Sequence, residues 1–269
     1  MTTENILSSR TSTTSNTCMP KYKIALVSYL NSRPFLFGLE NYSFKNEIEV
    51  LLDTPARIAD LLLKKEVDLA LVPVAVIPKM KKHFMLPGFG IGCSGEVQSV
   101  CVFAESKIER CESILLDYQS RTSVLLTKIL LQKHWKLSLR EKKTTQGYEN
   151  NIRGAQAGLV IGDRALMLRD SFPYMYDLGT EWKKMTKLPF VFAAWVSNKK
   201  IPQSISEELT SAFQLGINSI DKLIKEEKLK KNFAGFDIEY YLKHAINFSL
   251  DKEKLEAMNL FLKYTEDLN

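Results

Sequence analysis

The side chains able to do chemistry sit in short polar stretches that border apolar runs. The first, Ser28-Tyr29-Leu30-Asn31-Ser32-Arg33-Pro34-Phe35, follows Tyr22-Lys23-Ile24-Ala25-Leu26-Val27. Asn31 and Ser32 are turn and cap residues, and the φ of Pro34 suits the first turn of a helix. Asn31, at the tip, reads in two ways: an amide presented to a ligand, or a residue tolerating an awkward backbone angle. A second stretch, Gln119-Ser120-Arg121-Thr122-Ser123, precedes an apolar helical run from Val124 to Leu131. Hydroxyls and free N–H groups at a helix start are a ready site for a carboxylate or phosphate, and Arg121 adds positive charge. N-capping needs only one of Ser120, Thr122 and Ser123, so the surplus favours an anion site. Ala157-Gly158-Leu159-Val160-Ile161 ends in Gly162-Asp163, where Asp163 either caps the next helix or orients a neighbouring donor; capping is the simpler reading. Ser99 falls inside Val97-Gln98-Ser99-Val100-Cys101-Val102-Phe103 and reads first as a small residue of an alternating strand.

What is missing narrows the chemistry further. His83, His134 and His244 are scattered outside these turns, and no Gly-x-Ser-x-Gly, His-Glu-x-x-His or dinucleotide glycine fingerprint occurs. Cys18, Cys93, Cys101 and Cys111 show no Cys-x-x-Cys spacing and are expected as free, mainly buried thiols. Neither a metal nor a cofactor is expected. An enzyme made of such parts works by positioning and hydrogen bonding through Asn, Ser, Thr and backbone groups.

Composition sets the class. Of 269 residues, 45% are hydrophobic and 25% charged, as in an ordinary globular protein. The net charge of +6 comes from basic residues scattered among acidic ones, without an aromatic-laced basic motif. A nucleic-acid partner is therefore not expected, whereas a small anion is. No apolar run approaches the roughly 20 residues of a membrane span. The Ser/Thr-rich first 20 residues lack a secretory apolar region and read as a disordered tail, which suits a cytoplasmic protein.

The turns need a frame. Tyr22–Val27, Glu47–Leu52 and Val67–Val72 read as strands, with a helix after Pro34 and another after Asp53-Thr54-Pro55. That β-α-β-α-β order favours a parallel sheet. Gly88, Gly90, Gly92 and Gly95 suggest tight turns or close backbone approach to a ligand. Further strands are expected at Ile114–Tyr118, at Ala157–Asp163 and at Leu188–Val196. One long helix is expected from Pro202 through Ile224, followed by helices at Ile238–Ala245 and Lys252–Tyr264. The pattern gives two α/β lobes facing a cleft: 21–102 for the first, 103–194 for the second, and 195–269 returning to the first.

Taken in order, several of these segments resemble the MqnA family, the chorismate dehydratases that open the futalosine route to menaquinone. The resemblance rests on Ser28-Tyr29-Leu30-Asn31-Ser32-Arg33-Pro34, Asp68-Leu69-Ala70-Leu71-Val72-Pro73 and Gly95-Glu96-Val97-Gln98-Ser99-Val100. It continues through Ser120-Arg121-Thr122-Ser123, Ile161-Gly162-Asp163-Arg164-Ala165 and Leu188-Pro189-Phe190-Val191-Phe192-Ala193. It departs at Lys187, where the family pattern has Gly. The resemblance implies a periplasmic-binding-protein-like (type 2) fold with a cleft between two lobes. It also implies conversion of chorismate, a dicarboxylate, to 3-[(1-carboxyvinyl)oxy]benzoate with loss of water. By the same resemblance, Asn31 and Ser99 form the active pair, Ser120, Thr122 and Ser123 hold a carboxylate, and Gly162-Asp163 line the cleft. Two alternatives stay open: a sibling enzyme making 1,4-dihydroxy-6-naphthoate, which is expected to carry a catalytic His, and a small-anion binding protein without catalysis. The missing secretory signal counts against the second.

Overall fold

The computed structural model describes residues 21–229, 233 and 235–268; the expected tail and Cys18 lie outside the described residues. The chain opens with β1 (Lys21–Val27), α1 (Arg33–Asn41), β2 (Glu47–Asp53), α2 (Pro55–Leu63), β3 (Leu69–Pro73) and β4 (Phe84–Cys93). Next come β5 (Val100–Ala104), β6 (Ser113–Leu116), α3 (Thr122–Ile129), β7 (Arg140–Lys143), β8 (Gln156–Ile161), α4 (Asp163–Met167), β9 (Tyr174–Asp177) and α5 (Leu178–Thr186). The last part holds β10 (Phe190–Ser197), α6 (Gln203–Asn218), α7 (Ile220–Leu229), α8 (Ile238–Tyr240), β11 (Asn247–Leu250) and α9 (Lys252–Glu266).

These strands form two sheets, ordered β11-β4-β10-β3-β1-β2 and β7-β6-β8-β5-β9. The fold is the expected two-lobed α/β arrangement. β1 pairs in parallel with β2 and β3, but β10 and β4 run antiparallel, so the first sheet is mixed rather than parallel throughout. The chain leaves the first sheet after Cys93 and returns at Phe190. β5 thus belongs wholly to the second sheet and β10 wholly to the first, because a strand pairs along its full length. The expected boundaries at 102 and 194 cut through both.

Further expectations are corrected by packing. Gly88, Gly90 and Gly92 lie within β4, not in a ligand loop. A Cβ on Gly90 or Gly92 would sit 2.6 or 2.7 Å from a β10 carbonyl oxygen, so the small residues serve strand-to-strand approach. The long helix breaks at Ser219, whose N–H bonds Gly216 O at 3.1 Å and whose Oγ bonds Leu215 O at 2.8 Å. Lys187 ends α5 in the left-handed region at φ 68°, the conformation that the missing glycine would adopt freely.

The first turn is anchored from below. Phe35 of α1 is fully buried and meets the rings of Phe213, Phe248, Trp195 and Phe89 at centroid distances of 4.9, 5.5, 5.6 and 6.3 Å. Burying such a side chain is worth roughly 1.5–3 kcal/mol, and it fixes the helix start that Asn31 precedes.

Candidate active site

β1 passes into a tight turn at Leu30–Ser32 before α1 begins, closed by Ser32 N–H on Tyr29 O at 3.0 Å. Asn31 Oδ1 accepts from Ser32 Oγ at 3.2 Å. With its oxygen engaged, the Asn31 amide has its NH2 left to donate.

Ser99 lies in the loop before β5, not inside the strand. The preceding Gln98 has φ +62°, a left-handed conformation costing a non-glycine residue roughly 1–2 kcal/mol. Asp177, at the end of β9, holds that turn in place. Its carboxylate accepts Gln98 N–H at 2.7 Å and Val97 N–H at 3.0 Å, and it caps α5 through Thr180 N–H at 2.9 Å. Burial pushes the Asp177 carboxyl above its ordinary range, against the opposing pull of the Thr180, Gln98 and Val97 N–H groups. Ser99 itself is buried, and its Oγ lies 3.4 Å from Val97 O.

The Ser120–Ser123 turn follows β6. Ser120 Oγ accepts Ser123 N–H at 3.1 Å, and Thr122 Oγ1 accepts Ala75 N–H from the first lobe at 3.2 Å. Each hydroxyl acts there as acceptor, so its own proton remains available, and the positive end of α3 adds to the pull on an anion. Behind the turn, buried Asp117 accepts from Gln119 N–H at 2.9 Å, Tyr148 Oη at 2.9 Å, Ile161 N–H at 3.0 Å and Arg164 at 2.7 Å.

These turns meet around one cavity of about 70 Å³, lined by Asn31, Ser99, Ser120, Thr122, Ser123 and Gly162, together with Tyr29, Val97 and Phe192. Gly162, at φ +65°, gives room for Tyr29: a Cβ there would lie 2.8 Å from the tyrosine ring. Among the described residues, the cavity wall holds no Asp, Glu, Lys, Arg or His. Its one titratable group, the Tyr29 hydroxyl, is driven far above its ordinary range by burial and by nearby Asp117. The remaining polar groups are neutral hydrogen-bonding groups.

Two residues expected to bind substrate lie off this wall. Arg121 turns away and pairs with Asp60 of α2 at 2.6 Å. Asp163 does not cap α4; its Oδ1 accepts Leu30 N–H at 2.9 Å, joining the lobes, and it faces a neighbouring groove of about 680 Å³. Tyr29 Oη adds another tie across the cleft, donating to Gln119 Oε1 at 2.5 Å. His134 bonds Glu181 at 2.9 Å, and no histidine lines the cavity. Among the described residues, no group of His, Cys, Asp and Glu is arranged to hold a metal ion, and no helix is long and apolar enough to cross a membrane. Tyr29, Asp117 and Asp177 were missed as site-building residues. A clue for Asp177 was its place before Leu-Gly-Thr, the position of a helix cap.

Known proteins resemble this chain along most of its length. A chorismate dehydratase of Thermus thermophilus is 28% identical over 262 residues, covering 90% of this chain and 93% of that protein. One from Campylobacter jejuni is 25% identical over 249 residues, covering 90% and 97%. Among solved structures, an Archaeoglobus fulgidus protein superposes with a TM-score of 0.73 at 14% identity, covering 92% of this chain and 97% of its own. A Candida albicans protein described as having the generic periplasmic binding protein fold gives a TM-score of 0.59 at 13% identity, covering 93% and 90%. The model of the menaquinone biosynthesis family matches residues 22–267, and the chain belongs to that family.

Proposed function

We propose that the chain is a chorismate dehydratase, a carbon–oxygen lyase of the hydro-lyase type. It converts chorismate to 3-[(1-carboxyvinyl)oxy]benzoate and water at the start of futalosine-dependent menaquinone synthesis. The observation that carries this reading is the cavity wall, which brings Asn31, Ser99 and the 120–123 hydroxyls together without a charged side chain. Such a wall suits a dianion that brings its own base.

In this mechanism Ser120, Thr122 and Ser123 hold the ring carboxylate, with the start of α3 behind them. Hydrogen bonds there hold that carboxylate alike before and during the loss of the proton from the ether-bearing ring carbon. The enolpyruvyl carboxylate, fixed by the Asn31 amide, takes that proton. The electron pair moves into the ring, the neighbouring carbon–oxygen bond breaks, and the hydroxyl departs with Ser99 assisting and a proton added to give water. Aromatisation drives the step. No cofactor is called for.

The closed cleft fits this scheme. A cavity of about 70 Å³ is small beside the roughly 300–1,000 Å³ of typical ligand pockets. Substrate therefore enters with the lobes parted, and the Leu30–Asp163, Tyr29–Gln119 and Arg121–Asp60 ties re-form over it. Cys93, Cys101 and Cys111 remain free and buried, in keeping with a cytoplasmic location. Incubating purified protein with chorismate and following the aromatic product tests the reading. Chorismate returned unchanged points to a binding protein, and conversion of only a later pathway intermediate points to the sibling enzyme.

A further inference from the structure

Tyr241 reaches the site from the far end of the chain. It opens the π-helical turn Tyr241–Ala245 that continues α8, and its ring is 1% exposed. The backbone is tied on both sides: its N–H bonds Asp237 O at 3.1 Å, and its carbonyl accepts Ile246 N–H at 3.0 Å. Phe236 packs edge-on against the ring with a centroid distance of 5.5 Å. The hydroxyl comes within hydrogen-bonding reach of the Ser99 and Asn31 side chains. Three distant segments thus converge: the turn after β1, the loop before β5 and the C-terminal π-turn. π-turns recur at functional sites because the added residue re-aims a side chain. Phenylalanine would fill the same apolar space, and a buried hydroxyl is costly unless it is bonded.

We propose that Tyr241 is a positioning residue, whose hydroxyl holds the Asn31 amide and the Ser99 hydroxyl in the orientations that face the substrate. This rests on the reading of Asn31 and Ser99 as the reacting pair. Asn31 Oδ1 is engaged by Ser32, so one Asn31 N–H points to the tyrosine oxygen and the other to the substrate. The Ser99 hydroxyl likewise points its proton to the tyrosine oxygen, which turns the serine lone pairs and the second Asn31 N–H toward the substrate. Tyr241 exchanges no proton with substrate. Burial drives its ionisation far above the ordinary range, opposed by Ser99 and Asn31, with Asp163 adding to the rise, so the group stays a neutral donor and acceptor.

Tyr241→Phe keeps the ring and removes only the hydroxyl. Its melting temperature should match the parent, its kcat should fall about 10- to 100-fold, and its KM should stay within about twofold. In a Ser99→Ala background the same change should cost less than about threefold, because its partner is already gone. Crystal structures of parent and Y241F give a substrate-independent reading, in which the Asn31 or Ser99 side chain should change rotamer. A Y241F enzyme within twofold of the parent, or a loss fully additive with S99A, overturns the assignment. So do unchanged Asn31 and Ser99 rotamers. A parent inert toward chorismate, with rotamers that do move in Y241F, would instead remove the proposed reaction and leave Tyr241 in its role.

Discussion

The two walls of the cavity are built on different principles. On one side, Asn31 and Ser99 are set by neutral partners: Ser32 for the amide, and the turn held by Asp177 for the serine. On the other, Ser120, Thr122 and Ser123 sit at a helix start, over an Asp117 carboxylate paired to Arg164 at 2.7 Å. Both braces are buried aspartates. Asp117 has a cation to offset its charge, whereas Asp177 relies chiefly on N–H groups and its carboxyl is pushed upward. On the proposed mechanism this is a division of labour: geometry without charge where bonds change, and a structured electrostatic seat where the substrate is gripped. Damage to the first wall should lower kcat, and damage to the second should raise KM.

The strongest break is Asn31→Ala. Loss of one positioned donor at a reacting group typically costs about 100- to 1,000-fold in kcat. Steady-state kinetics with a melting curve checks this; a folded variant with near-parental turnover rejects the role given to Asn31. Next comes Thr122→Val on the seat. A hydrogen bond to a charged group is worth about 1.5–3 kcal/mol, so KM should rise about 10- to 100-fold while kcat changes little. If kcat falls instead, the two walls do not divide the work.

Asp177→Asn tests the brace with a smaller effect. An amide NH2 cannot accept the N–H bonds that both carboxylate oxygens now take, so the Gln98 turn should loosen and kcat drop about fivefold. Stability carries a signed pH dependence as well. Burial raises this carboxyl, so its proton is held more tightly in the fold than in the unfolded chain. Its contribution to stability is complete below the ordinary aspartate value of about 3.9 and declines as pH climbs through the raised value. The stability advantage of the parent over D177N should therefore narrow as pH climbs above about 4, read by urea melts. An advantage that widens would mean that the carboxylate, not the acid, is the form favoured by the fold.

How far the sequence spoke depends on the range of the interactions. Strands with continuous apolar runs, and helices with local start signals such as Thr54-Pro55 or Asp251, were legible, because period and capping act over a few residues. Asp251 caps α9 as read, accepting Lys254 N–H at 2.9 Å. β7, with its exposed Arg140–Lys143 run, carried no such pattern. Within the site, Asn31 and the 120–123 hydroxyls advertised themselves as turn residues. Ser99 was taken as a strand residue because the left-handed Gln98 depends on Asp177, nearly 80 residues later. Arg121 and Asp163 looked like ligand groups, but their partners, Asp60 and the Leu30 N–H, lie in the other lobe. Tyr241 had no local signal at all.

The smallest expected effect sharpens the contrast from outside both walls. His83, His134 and His244 lie off the cavity, and His134 instead bonds buried Glu181, which also accepts Trp135 Nε1 at 3.3 Å and Lys184 Nζ at 2.7 Å. Replacing all three with Gln removes every imidazole while leaving position 134 an amide able to donate to Glu181. Any cost should fall on stability through Glu181, since a buried carboxylate that loses a donor is left partly unsatisfied. The rate should stay within about twofold of the parent, because general acid–base catalysis by a side chain typically contributes 100-fold or more and none is assigned to histidine here. A pH–rate profile of the triple variant checks this directly. Loss of a limb that the parent shows near neutrality, or a large fall in kcat at unchanged melting temperature, would put a histidine in the reaction. The substrate's own carboxylate would then no longer be the base that the uncharged wall was built to serve.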